Sequence, residues 1–165
     1  MSSHSFRNPP APRRSCPRCL AALTLLSALF LALPAHAAKL DESTPEGLAQ
    51  LEDRAIHASP REQPYLYTQL VHAMTEQAGR QIADGETQQA ADTLKRVNQF
   101  AHLIHVNLTR DAKRLKDAEE LMHNTTYRLG QFLHLVPADD RPAVQDTLKQ
   151  LNQVNDELLT QVFQH

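Results

Sequence analysis

PYLYTQLVHAMTEQAGRQIADGETQQAADTLKRVNQFAHLIHVNL, residues Pro64 to Leu108, is the stretch whose reading decides the fold. Leu66, Leu70, Ala73, Met74, Ala78 and Ile82 recur at spacings of three and four, so on an α-helix they share one face. Asp84-Gly85 interrupts the pattern, and glycine readily takes the positive-φ conformation that closes many helices. Ala90, Ala91, Leu94, Val97, Ala101, Ile104 and Leu108 then form a second stripe of the same period. Two helices joined by so short a turn must lie side by side and antiparallel.

The pattern extends in both directions. Upstream, Ser43-Thr44-Pro45-Glu46 combines a hydroxyl cap, a proline in the first turn and a glutamate three residues after Ser43, which predicts a helix start. Leu48, Leu51 and Ala55 carry a short first helix as far as Ser59-Pro60. Downstream, Leu108, Leu115, Met122, Leu129 and Val136 recur every seven residues, supported by Ala112, Ala118, Phe132 and Leu133. Around Asn107 to Asp111 the chain either bends, with Thr109 as cap, or continues as one long helix. Gly130 weakens that helix by about 1 kcal/mol relative to alanine without ending it. Pro137-Ala138-Asp139-Asp140 ends it, and Asp139 or Asp140 caps a last helix before Pro142. Val144, Leu148, Leu151, Val154, Leu158, Leu159, Val162 and Phe163 line one side of this last segment. No stretch alternates with period two. The expected fold is all-α, an antiparallel bundle of four substantial helices plus a short N-terminal one, over residues 44–165.

The first 37 residues have a separate logic. Arg13, Arg14 and Arg18 precede fourteen uncharged residues from Leu20 to Leu33, and Ala35-His36-Ala37 places small residues at both positions a signal peptidase reads. This predicts a Sec-type secretory signal over 1–37, cleaved after Ala37, a flexible leader over 38–43, and a periplasmic or secreted protein. The apolar run is short of the roughly 20 residues a membrane span needs. Both cysteines, Cys16 and Cys19, fall in the signal, so their C-x-x-C spacing has nothing to act on in the mature chain. The mature chain also lacks a disulfide, and a packed core of 128 residues must supply its stability.

The formal charge of -2 mixes two populations. From Ala38 onward there are 13 basic and 19 acidic groups, a net charge of -6. Such a surface repels phosphate backbones and anionic lipid heads, so no nucleic acid or membrane is expected as a partner. Arg110, Lys113, Arg114 and Lys116 are interleaved with Asp111, Asp117, Glu119 and Glu120, which reads as a solvated, ion-paired helix face. Asn107-Leu108-Thr109 and Asn124-Thr125-Thr126 are glycosylation sequons that matter only in a eukaryotic host, whereas the signal has a bacterial look.

Ala78, Gly85, Ala90, Leu94 and Val97 stand where the tetratricopeptide family places its small and apolar hairpin residues. The segment from Met74 to Ala101 therefore resembles one such hairpin. Met74 and Gln77 replace that family's early aromatic and leucine, and His102 stands in place of its closing proline. No second copy lies 34 residues on, so the resemblance implies a packing solution and not a peptide-binding solenoid. As a whole the chain is similar to small exported bacterial helical-bundle proteins of unknown function.

Few residues can carry chemistry. The mature serines, Ser43 and Ser59, sit at helix boundaries where capping explains them. No phosphate loop, H-E-x-x-H or nucleophile elbow occurs. Glu120-x-x-His123 has the spacing of di-iron carboxylate bundles but lacks the second such pair that those sites need. His102 and His105, one turn apart, are the candidate metal ligands, needing a third ligand such as His72 or His134 from another helix. The leading expectation is a non-enzymatic exported protein acting through protein–protein contacts or self-association, with no cofactor. The alternative is a metal-binding or metal-sensing bundle using His102 and His105.

Overall fold

The computed structural model describes residues 44–164. The expected signal, its cleavage site and the leader lie outside the described residues. Five helices follow in order: α1 Pro45–His57, α2 Gln63–Ala83, α3 Thr87–Asn107, α4 Leu115–Phe132 and α5 Arg141–Phe163, with no strand among the described residues. The fold is all-α. None of these helices is long and apolar enough to cross a membrane.

The start of α1 is capped by Thr44, whose hydroxyl accepts from the Gly47 amide at 3.1 Å, so the capping hydroxyl is one residue later than the Ser43 expected. The α2–α3 turn follows the sequence closely. Gly85 takes φ 78°, the Gly85 amide donates to the Ile82 carbonyl, and the Glu86 amide donates to the Gln81 carbonyl. These bonds satisfy carbonyls that a helix end otherwise leaves without donors. Only glycine takes that backbone conformation without a steric cost.

After α3 the chain bends rather than running on. Asn107 turns its side-chain amide back to the Leu103 carbonyl at 2.8 Å, and the Thr109 hydroxyl donates to Asp111 at 2.9 Å. Such side chains offer the backbone a local alternative to the helix. Thr109 caps nothing: α4 begins six residues later, after Arg114, whose φ of 59° puts a non-glycine residue in the left-handed region. The loop is pinned to the α1–α2 connection by the Lys113 amide, which donates to the Arg61 carbonyl at 2.7 Å. At its other end α4 stops at Phe132, short of Pro137. Its last turn tightens, with Leu135 donating to the Phe132 carbonyl at 2.8 Å. Asp140 occupies the position before α5, but its side chain makes no capping bond.

One core runs through all five helices. Most of the expected stripe positions face it: Leu70, Met74 and Ala78 on α2, Val97, Ala101 and Ile104 on α3, Met122 and Leu129 on α4, and Leu151 and Leu158 on α5 are all fully buried, whereas Leu159 and Phe163, expected on the same side of α5, are exposed. Leu115 and Val136 are also buried, although Val136 lies beyond the end of α4.

Helix neighbours are α2 with α3, α4 with α5, α2 with α4 and α3 with α5, with α1 lying on α2. Side chains fix the directions across the last two of these seams. His72 meets Thr125, Glu76 meets Arg128, and Gly79 faces Phe132, so positions 52 or 53 apart pair from 72 to 79 on α2 and from 125 to 132 on α4. Asn98 meets Thr147, and His105 meets Glu157, in the same sense along α3 and α5. Along α2 and α3 the order is reversed, Gln81 meeting Thr93 and Tyr67 meeting Phe100, so these two run antiparallel, whereas α2 with α4 and α3 with α5 run parallel.

Candidate functional sites

The histidines singled out in the sequence lie on the α3–α5 seam. His102 and His105 sit one turn apart on α3, both exposed, with ring centroids 6.1 Å apart and planes inclined by 26°. His105 Nδ1 lies 2.7 Å from a carboxylate oxygen of Glu157 on α5. This leaves Nε2 of that ring facing away from the carboxylate, the orientation in which a carboxylate steadies a metal-binding imidazole. The other two candidate ligands are elsewhere. His72 Nδ1 is 2.9 Å from the Thr125 hydroxyl on the α2–α4 seam, and His134 is exposed in the turn after α4. Thr125 gives its one hydroxyl proton to the Leu121 carbonyl, so the His72 ring is the donor in that pair. Among the described residues no three His, Cys, Asp or Glu side chains converge as a metal site requires. Glu120 and His123 are exposed on α4.

Around His105 the seam opens into a groove. One stretch, of about 370 Å³, is lined by His102, His105, Lys149 and Gln150; the next, of about 500 Å³, shares His105, Gln153 and Glu157 with it. Beside the groove, polar side chains join the two helices. Asn98 donates to the buried Thr147 hydroxyl at 3.0 Å and accepts at its carbonyl from Gln150 at 2.9 Å. Both interactions tie α3 to α5, while the side-chain oxygens of Asn98 and of Gln161, which lines the groove, are buried without a donor.

A second site was not legible in the sequence. At the end of the molecule where α1 closes and α4 opens, Arg54, Glu62, Tyr65, Gln69, Lys113 and Arg114 line a cleft of about 210 Å³. The basic cluster expected on a solvated helix face is instead placed largely in the 108–114 loop, because the chain leaves α3 at Asn107. Three ion pairs order it: Arg61 with Asp111 at 3.1 Å, Lys113 with Glu62 at 3.0 Å, and Arg114 with Asp117 at 2.8 Å. Bonds from Lys113 and then Ser59 hold the Glu62 carboxyl below its ordinary range. The Arg114 guanidinium also lies 3.7 Å from the Tyr65 ring centroid, within cation–π range.

Two groups in the cleft remain without partners. Arg54 makes no hydrogen bond or ion pair among the described residues, and the side-chain oxygen of Gln69 is buried with nothing donating to it. A buried acceptor without a donor is uncommon in a folded protein and calls for a reason. The signal that could have revealed this site is the Arg-Asp-Ala-Lys-Arg run at 110–114, once it is known to be a loop. No protein family, no curated protein and no solved structure matches this chain.

Proposed function

We propose that this chain is a non-enzymatic, exported helical-bundle protein that works by binding another protein. In this reading the α4–α5 hairpin is stacked on the α2–α3 hairpin, with α1 covering the first and the outer side of α4–α5 left for a partner. The observation that carries it is that, of the large apolar side chains held in solvent, Tyr127 (65% exposed), Leu159 (36%) and Phe163 (82%) are on α4 and α5, the others being Ile56 on α1, Val106 on α3 and Leu135 in the turn after α4. Leu159 and Phe163 are one turn apart on α5 and so share a face. Burial of aromatic side chains is what most often anchors a protein interface, which gives these positions a use that core packing does not. The net negative charge after the signal supports a protein partner over a nucleic acid or an anionic membrane.

The test is cross-linking and affinity capture from the exported fraction, comparing the parent with a Leu159→Ser/Phe163→Ser double variant, alongside sedimentation of both. Loss of a captured partner, or of a dimer, in the variant supports this reading. Identical capture and sedimentation by the two proteins removes it. The orientation of His105 by Glu157 favours a second reading, a metal-binding bundle using His102 and His105. Calorimetric titration with zinc or copper decides it.

A further inference from the structure

We propose that the groove walled by Ala112, Leu115 and Val162 and rimmed by Arg110 and Lys116 receives the α4–α5 turn of a second copy of this chain, so that copies join head to tail. This goes beyond docking at the outer side of α4–α5, because it uses the two ends of the bundle.

The groove lies where the last turn of α5 meets the 108–114 loop and the start of α4, and has a volume of about 360 Å³. Leu115 is buried beneath it, and Ala112 and Val162 are half-buried, so it presents apolar surface. Arg61 and Asp111 also line it but are engaged locally. One oxygen of Asp111 pairs with Arg61 at 3.1 Å, and the other accepts from the Thr109 hydroxyl at 2.9 Å. The rim cations differ. Arg110 and Lys116 are exposed, and their side chains make no hydrogen bond or ion pair among the described residues. The groove therefore suits an apolar side chain carried close to free carboxylates.

The opposite end of the bundle presents that combination. In the turn after α4, Leu135 is 62% exposed while its neighbour Val136, at 4%, is anchored in the core. The Leu135 amide donates to the Phe132 carbonyl at 2.8 Å and the Asp140 amide to the Pro137 carbonyl at 3.2 Å, so the turn is shaped before any partner arrives. A preformed segment loses little conformational freedom on docking. Asp139 and Asp140 follow Leu135 closely, and their side chains make no hydrogen bond or ion pair among the described residues. A lone exposed leucine is ordinary. What singles this one out is that its turn matches the groove in both apolar character and charge. Within one molecule the two cannot meet, since the 18 residues of α4 set them about 27 Å apart. The turn of a second copy can reach. Such a contact uses different surfaces on the two partners, so a pair of copies keeps one free groove and one free turn and can grow further. Opposite charges across it fix the register and reject like ends.

Sedimentation velocity of the purified protein from about 10 μM to 1 mM tests this. At low salt the average mass of the parent should rise with concentration and pass that of a dimer. The rise should shrink at about 0.5 M salt, where exposed charges are screened within a few ångströms. Arg110→Glu/Lys116→Glu and Asp139→Lys/Asp140→Asn should each sediment as monomers. An equal mixture of the two should associate again, because each supplies the end that the other has reversed. Leu135→Ser should weaken association about tenfold. Tyr127→Ser, on the outer side of α4, should leave it unchanged. None of these positions is buried, so the variants should melt close to the parent, which separates lost association from lost folding. A parent that stays monomeric at about 1 mM, a closed dimer that grows no further, or association that ignores salt would each overturn the proposal. So would reversed-end variants that fail to associate when mixed. Association lost in Tyr127→Ser and kept in both reversed-end variants would overturn it in favour of docking at the outer side of α4–α5.

Discussion

The two seams that join the α2–α3 hairpin to the α4–α5 hairpin are built on opposite plans. Along α2–α4 small residues let the backbones come close: a Cβ added at Gly79 would fall on the Phe132 ring. The Arg128 guanidinium then bridges the edge with two bonds to Glu76, at 2.8 and 3.0 Å, while lying 5.3 Å from the centroid of the Phe132 ring. Along α3–α5 the contacts are made by the longer side chains of Asn98, Gln150, His105 and Glu157, and a solvent-filled groove opens beside them. Equivalent positions in one stack thus give a closed seam or an open one according to the size of the residues that meet.

The largest expected effect tests whether the seams enclose one core. Met122 is fully buried and belongs to the same cluster as the α2, α3 and α5 side chains. Met122→Ala should therefore cost about 2–5 kcal/mol in a urea melt, while Glu120→Ala, two residues away on the exposed side of the helix, should stay within about 0.5 kcal/mol. Equal melts for the two would mean that α4 is phased differently.

Next comes the closed seam itself. Gly79→Ala brings two opposing effects: alanine favours the helix by about 1 kcal/mol, while the added methyl meets Phe132 and overpacking costs about 1–3 kcal/mol. The parent should lose stability. In a Phe132→Leu background, where the ring is gone, the same change should cost less or turn stabilising. A double-mutant cycle measures this coupling, and additive effects would show that the seam is not held at ring contact.

The acid limb of stability should also belong to the closed seam. The bond from Arg128, ahead of the opposing effect of burial, holds the Glu76 carboxyl below its ordinary range. A carboxyl with a depressed folded-state pKa lends stability above its unfolded value, about 4.3, and loses it as pH falls through the folded value. Arg128→Ala should therefore flatten the fall in melting temperature below about pH 4 relative to the parent. An unchanged acid slope would place the pH dependence elsewhere.

What the sequence disclosed and what it withheld separate along the same line. Repeating apolar positions identify a helix and its inward face, so Leu70, Val97, Met122 and Leu151 were legible, as was the Gly85 turn. Periodicity carries no information about which helix lies opposite which, because every stripe is complementary to every other. The parallel pairing of α2 with α4 and the meeting of Gly79 with Phe132 were hidden for that reason. Similarly, the 108–114 run has charges that suit an exposed helix, and only the local bonds of Asn107 and Thr109 turn it into a loop. Thus the cleft leaves no signature in the sequence, whereas His102 and His105 are conspicuous by residue type alone.

The smallest expected effect concerns those two histidines and the open seam. His105 joins α3 to α5 through Glu157, but both residues are partly solvent-exposed, with 51% of the His105 side chain and 28% of the Glu157 side chain accessible. Exposed pairs of this kind contribute about 0–1 kcal/mol, so His102→Gln/His105→Gln should shift the melting temperature little. Added zinc should likewise leave parent and variant alike, because two imidazoles and one carboxylate already engaged with one of them make a poor site. A ligand that binds only the folded state raises its stability by mass action, so a true site would show itself as a metal-dependent rise in the parent alone. That rise would fade below about pH 6, where protons compete for imidazole. A shift of several degrees with this dependence would make the open groove a metal site and reverse the ranking of the two functional readings.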